Sequence, residues 1–343
     1  MRFELMVGGL SWQRAASLAR SVEEAGFSGM VFTETTQTPW MSLAAAAQAT
    51  SQLDLSTGIA VAFARSPMVT SSLAWELAEN SRGRFRLGLG SQVRAHVERR
   101  YGAAFDPPGP RLRDYVEAVR ACFDAFAGRR SLQHDGPYYK LSLLPEAFSP
   151  RRHAYGDIKI DVAAVNEWMC RMAGSVADGV HVHPLHSLHY IRSRLLPAVA
   201  EGAATAGRRP EDLEVTVPVF AVGGNSEEDR RPLVEEARRQ VAFYGSTRNY
   251  AFQFEDLGYP GTSERLNERL KAGDLDGMRA VVTDEMLAQF AVVESWRGLP
   301  DALLHRYGDV ADRLVMYLAA SAIERDSSAL RNWAEVARAV TTA

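Results

Sequence analysis

The residues of this chain best placed to do chemistry stand at the ends of short apolar runs. The run at 158–162 leads into Ala163, Ala164, Val165 and Asn166, small residues that open onto a helix. A strand, a small-residue loop and a helix in that order leave backbone N–H groups and a helix N-terminus free to hold an anion. The next run, 179–183, carries His181 and His183 to its tip, and Glu34 closes the run at 29–34. Ser91 and Gln92 follow the run at 84–90. A carboxylate such as Glu34 works as a general acid or base if burial raises its pKa, or as an ion-pair partner if a cation such as Arg65 is near. Sequence alone leaves both readings of Glu34 open.

Eight such runs must position these groups. They lie at 3–7, 29–34, 53–61, 84–90, 158–162, 179–183, 215–222 and 313–318. Helical spacing fills the intervals at 12–25, 40–51, 67–80, 111–126, 188–206 and 227–244, with Pro67 suited to open one helix and Gly26 to end another. Residues 131–141 read as a small hairpin. An insertion at about 245–295 carries helical pieces at 263–272 and 276–290. Eight strands alternating with helices predict a (β/α)8 TIM barrel with insertions, read as one domain over 1–343, with an open doubly wound sheet as the alternative. In a barrel, function collects at the carboxyl ends of the strands, where the residues above fall.

Composition narrows the partners. The 343 residues are 46% hydrophobic and 24% charged with a net charge of -3, ordinary for a soluble globular protein and without a basic surface for nucleic acid. Two cysteines, Cys122 and Cys170, are too few for a disulfide framework or a cysteine-rich metal site, which fits a reducing cytoplasm. The start is too quickly broken by Gly8-Gly9 for a signal peptide, and no window has the roughly 18 apolar residues of a membrane span. The expectation is a cytoplasmic protein acting on a small molecule, without a membrane or nucleic-acid partner.

Several separated blocks, in order, resemble one family along nearly the whole chain. They are Ala60 to Met68 around Arg65-Ser66-Pro67, Gly83 to Val93, Pro110 to Tyr115, Met169-Cys170-Arg171 with the Ala-Gly…Ala-Asp-Gly run, and His181 to Pro184. Phe243 to Thr247 and Thr283 to Met286 continue the match within the insertion. The chain resembles the luciferase-like flavin and deazaflavin oxidoreductases, in particular the branch using coenzyme F-420. The resemblance implies hydride transfer to or from the cofactor's central ring, with FMN and oxygen activation as the alternative. It implies a ring in the barrel mouth supported by a bulge at Gly58, Ile59 and Ala60, often with a non-prolyl cis peptide. Ser91 and Gln92 would meet ring or substrate, with Gln92 and Glu34 the catalytic candidates. Ala163, Ala164, Val165 and Asn166, with His181 and His183, would hold the phosphate tail. Trp40, Gln240 and Tyr244 are the substrate-side candidates.

The chain also departs from the family. Some sugar-phosphate-oxidising relatives carry a His and a Glu where Thr36 and Val93 stand here, so their proton-transfer pair does not carry over. In the phosphate loop, where relatives commonly have glycines, Glu167 brings negative charge and Trp168 bulk, which leaves open a barrel with altered or lost cofactor binding that acts as a non-redox enzyme or a binding protein. His181, His183, His186 and His189 lack an Asp, Glu or Cys partner at ligand spacing, and no metal is expected. Arg94, His96, Arg99 and Arg100 read as a solvated helix face or as a lure for an acidic tail. Arg111, Arg113 and Tyr115 fit structural roles. Relatives are often homodimers, and the small residues at 43–47 allow close helix contact.

Overall fold

A computed structural model describes residues 1–343. Eight parallel strands form its centre: β1 (Arg2–Val7), β2 (Gly29–Phe32), β3 (Asp54–Thr57), β4 (Phe85–Gly90), β5 (Ile160–Ala164), β6 (Gly179–Val182), β7 (Glu214–Gly223) and β8 (Arg313–Met316). Each pairs with the next, and β8 returns to β1 with Glu4 beside Val315 and Leu5 beside Met316. That last pairing closes the sheet into a (β/α)8 barrel and excludes the doubly wound alternative.

Alternation along β1 shows how the sequence sorts its layers. Phe3 faces outwards onto Phe27 and Trp333, with ring centroids at 5.2 and 6.2 Å. Met6 faces inwards and packs with Val31 and Val315 as a small apolar layer inside the cylinder. Successive strand residues point to opposite faces, so one strand serves both the outer helical shell and the interior.

Below that apolar layer the interior is charged. Arg313 of β8 donates to Glu4 of β1 at 2.5 Å and to Glu214 of β7 at 2.6 Å. Arg86 of β4 makes two bonds to Asp161 of β5, each 2.5 Å, and reaches Glu214 at 3.1 Å. Gly29 on β2 and Gly179 on β6 make room for these side chains. A Cβ at Gly29 would stand 3.0 Å from Glu4 Oε1, and one at Gly179 would lie against Asp161 and Arg86. Burial pushes the Glu4 carboxyl above its ordinary pKa and Arg313 pulls it back. Inward-facing charges on otherwise apolar strands pass as exposed positions in a sequence, and this layer was not anticipated.

Several boundaries differ from expectation for local reasons. The run at 53–61 splits into β3 and a two-residue strand, Ala60–Val61, which pairs with β4. The interruption is a cis peptide bond at Gly58–Ile59, within the segment where the resemblance placed a bulge. The helix read at 111–126 starts earlier, at Pro108, since proline suits a first helical turn. The piece read at 276–290 divides into Leu275–Val281 and Asp284–Phe290, the second capped by Thr283, whose hydroxyl accepts from the Met286 amide. A strand at Ala291–Glu294, unforeseen, extends the sheet beside the end of β7. The hairpin at 131–141 is present as His134–Asp135 paired with Lys140–Leu141. No helix is long and apolar enough to cross a membrane.

Candidate active site

The carboxyl ends of the strands surround a cavity of about 510 Å³. It lies within the roughly 300–1,000 Å³ usual for small-molecule sites. Its wall follows the strand order. Gly58 and Ile59 come from the end of β3, Ser91 and Gln92 from β4, Ala163 and Val165 from β5, and His181 and His183 from β6. The opposite wall holds Tyr244 and Tyr317 after β7 and β8, while Glu34 follows β2 on the side of Gly58 and Ile59. A channel of about 610 Å³ adjoins it beside Ser91, Ala163 and Val165 and runs out past Asn166, Trp168 and Gly109.

Glu34 is buried, and its environment decides between the two readings made from sequence. Its carboxylate accepts from the Val61 amide at 2.7 Å and from the Arg65 guanidinium at 2.9 and 2.5 Å. With both oxygens engaged, Glu34 ties the segment after Gly58–Ile59 to β2. The geometry corrects the acid/base expectation in favour of the ion pair. Gln92 adopts a left-handed backbone, φ 58°, and its Oε1 accepts from the Val93 amide at 2.9 Å. A non-glycine residue held there carries a cost of about 1–3 kcal/mol and places this turn among the constrained positions that gather at functional sites. Ser91 donates its hydroxyl to the Gln92 carbonyl at 3.2 Å.

The histidines separate into individual roles. His181 faces into the barrel with Nε2 3.7 Å from Asp161, and burial lowers its pKa to about 4. His183 accepts the Leu185 amide on Nδ1 at 3.0 Å, so its ring proton sits on Nε2. Burial takes its pKa to about 3, and it lies against Tyr244 and Tyr250 at 4.9 and 4.5 Å between centroids. His186 is wholly buried between the His183 carbonyl at 2.9 Å and the Tyr307 hydroxyl at 3.3 Å. No three or more His, Cys, Asp or Glu side chains are grouped so as to hold a metal.

The loop after β5 is held from both sides. Asn166 caps the helix Glu167–Val176, its side chain accepting from the Met169 amide at 2.9 Å, and Tyr190 donates to the Val165 carbonyl at 2.5 Å. Glu167 turns to Arg171 at 3.5 Å and Arg194 at 3.9 Å, which offsets its charge at this helix N-terminus. Trp168 is 46% exposed and lies on Gly109, where a Cβ would run into its six-membered ring. The indole therefore walls the outer channel and does not enter the mouth.

Four expected positions fall elsewhere. Ala60 and Ala164 are buried and line neither space, since alternation turns them away from the interior. Trp40 is buried beneath Arg65, whose guanidinium carbon is 5.4 Å from its ring, and Gln240 lines neither space. These two are corrected as substrate-side candidates. Tyr244 does line the mouth, its hydroxyl 2.7 Å from that of Tyr317. Tyr317, Tyr250 and Glu324 went unforeseen. Tyr317 directly follows β8 and was accessible to the rule that strand ends carry function, whereas Tyr250 and Glu324 had no such signal.

The model of the luciferase-like monooxygenase family matches residues 2–313. The chain belongs to that family. Among its relatives is an uncharacterized protein of Mycobacterium tuberculosis, 35% identical over 93% of this chain and 94% of that protein. A methylenetetrahydromethanopterin reductase of Methanolobus tindarius is 25% identical, covering 87% of each chain. In structure the chain is similar to the coenzyme F-420-dependent tetrahydromethanopterin reductase of Methanopyrus kandleri, with TM-score 0.81 over 97% of both chains at 21% identity. At that identity the likeness speaks for the shared fold. Within the family, the mouth cavity falls at the end of the barrel where such folds keep their active sites.

Proposed function

We propose that this chain is an oxidoreductase that holds coenzyme F-420, with FMN as the alternative, and moves a hydride to or from a small organic molecule. The observation carrying this reading is the continuity of space from the mouth, past Ala163 and Val165, to the Asn166-capped helix N-terminus. A planar ring suits the first compartment and an anionic tail the second. The fit is supported at Gly58, where a Cβ would collide with Val31 and stand 3.3 Å from His181, and at Gly90, where it would stand 2.8 Å from Ile59. Larger residues there would reshape the wall that a ring must lie against.

The cofactor, when bound, supplies the electron-transfer chemistry. The residues of the chain supply position and environment. Glu34 and Arg65 fix the segment behind Ile59, and Asn166 and Tyr190 fix the loop facing the tail. His183 stays neutral and offers its Nε2–H as a donor, because its other nitrogen already accepts from Leu185. The Tyr244 and Tyr317 hydroxyls, both pushed up in pKa chiefly by burial, stay protonated and bonded to each other.

The direct test titrates the purified protein with F-420 and, separately, with FMN, followed by absorbance and fluorescence. Saturable binding of F-420 is the expected result; a folded sample that binds neither cofactor removes the proposal. The channel gives a second test. Gly109→Val should push the Trp168 indole off its seat and across the channel, weakening cofactor binding by about tenfold, roughly 1.4 kcal/mol. Adding Trp168→Ala should restore it. Unchanged affinity in the single variant would place the tail elsewhere.

A further inference from the structure

The charge inventory of the mouth is one-sided. No lysine or arginine lines it, and its two carboxylates are Glu34 and Glu324. Glu34 is neutralised by Arg65 at 2.9 Å. Glu324 is exposed and has no cation within ion-pair distance. Burial keeps His181 and His183 neutral, so neither offsets it. On the helix Ala319–Arg325, Ala320 and Ser321 stand four and three residues before Glu324 and so present one face to the cavity with it.

Aromatic rings stand on the same side. Those of Tyr244 and Tyr317 meet at 86° with centroids 6.4 Å apart, forming a corner whose hydroxyls are occupied with each other at 2.7 Å. Aromatic rings attract cations, and both of these line the cavity. The order of closure places this corner beyond β7 and β8, across the barrel from Gly58, Ser91 and Ala163. An anion here would face an uncompensated carboxylate with no positive partner. A cation would find both a carboxylate and π faces.

We propose that the β7–β8 side of the mouth is a binding site for a small organic cation, an ammonium or quaternary amine, seated in the Tyr244–Tyr317 corner under Glu324. As a statement of substrate class, this rests on the oxidoreductase reading of the same cavity; as a binding site, it stands apart from it. The substrate oxidised or reduced here then carries a positively charged amine at neutral pH and exchanges its hydride at a carbon not bonded to that nitrogen.

Calorimetric titration with choline, against its neutral isostere in which carbon replaces the nitrogen, tests the site. Choline should bind about tenfold more tightly than the isostere. Glu324→Gln, on an exposed helix face that tolerates the change, should weaken choline about fivefold and leave the isostere unaffected. Tyr317→Phe should retain the preference and Tyr317→Leu should lose most of it, because the ring face and not the hydroxyl carries the attraction. Equal affinity for the two probes, or no measurable affinity for choline, overturns the proposal. F-420 and FMN, titrated separately into the same samples, separate the two readings. Cation preference without binding of F-420 or FMN leaves the cation site and removes the redox role; binding of either cofactor without cation preference does the reverse.

Discussion

Replacing Arg313 by methionine should destabilise the fold by about 3–5 kcal/mol, the usual consequence of removing one partner from a buried ion pair. Arg313 joins Glu4 on β1 and Glu214 on β7 while itself standing on β8, so one side chain spans the closing seam. Without it, Glu4 is left buried without its cation, and its carboxyl, already raised in pKa by burial, will take up a proton. Urea unfolding at neutral pH measures the loss. The double variant Glu4→Gln with Arg313→Met should recover much of it, since it leaves no unpaired charge on that seam. A single variant as stable as the parent would show that the layer contributes nothing.

Acid should unfold the protein earlier than its carboxylates alone would. His181, His183 and His186 have pKa values held down by burial to about 4, about 3 and about 4, against an ordinary 6.5. Between those values and 6.5 the unfolded chain binds more protons than the folded one. Each ring's contribution is therefore complete above 6.5 and lost as the pH falls towards the folded value. The slope is about 1 kcal/mol per pH unit for each histidine. Glu4, raised by burial, acts in the opposite sense, one group against three. Stability measured against pH should be level above neutrality and fall steeply below 6.5, and His186→Gln should make that fall shallower. A curve flat down to about 4 would contradict the burial of these rings.

How much of this was legible in the sequence depended on which interaction decided each feature. Strands announce themselves because a buried strand must be apolar along its length, and all eight runs correspond to barrel strands. The tip residues followed from fold geometry, which is why Ser91, Gln92, Ala163 and His183 reach the mouth. Trp40 and Gln240 did not follow, because helix position alone does not say which face meets the cavity. The Glu34–Arg65 pair was one of two open readings, and only distance settles it. Glu324 was invisible for another reason: it stands on a short helix beyond the last strand, and its importance lies in the absence of cations across a space assembled from the ends of the other seven strands and from Tyr244 and Tyr250. The interior charge layer was hidden likewise, since Glu4, Arg86, Asp161 and Arg313 lie far apart in the chain and are recognisable as partners only once the cylinder is closed.

The seam between β1 and β8 sets a timetable for synthesis. As the chain emerges from the ribosome, the strand that pairs with β1 and carries the cation of Glu4 arrives some 300 positions after it. Until Met316 is out, β1 and β7 have open edges, the kind of surface that invites pairing with other chains. Nascent chains stalled before β8 should therefore be markedly more prone to chaperone capture than those released just after it.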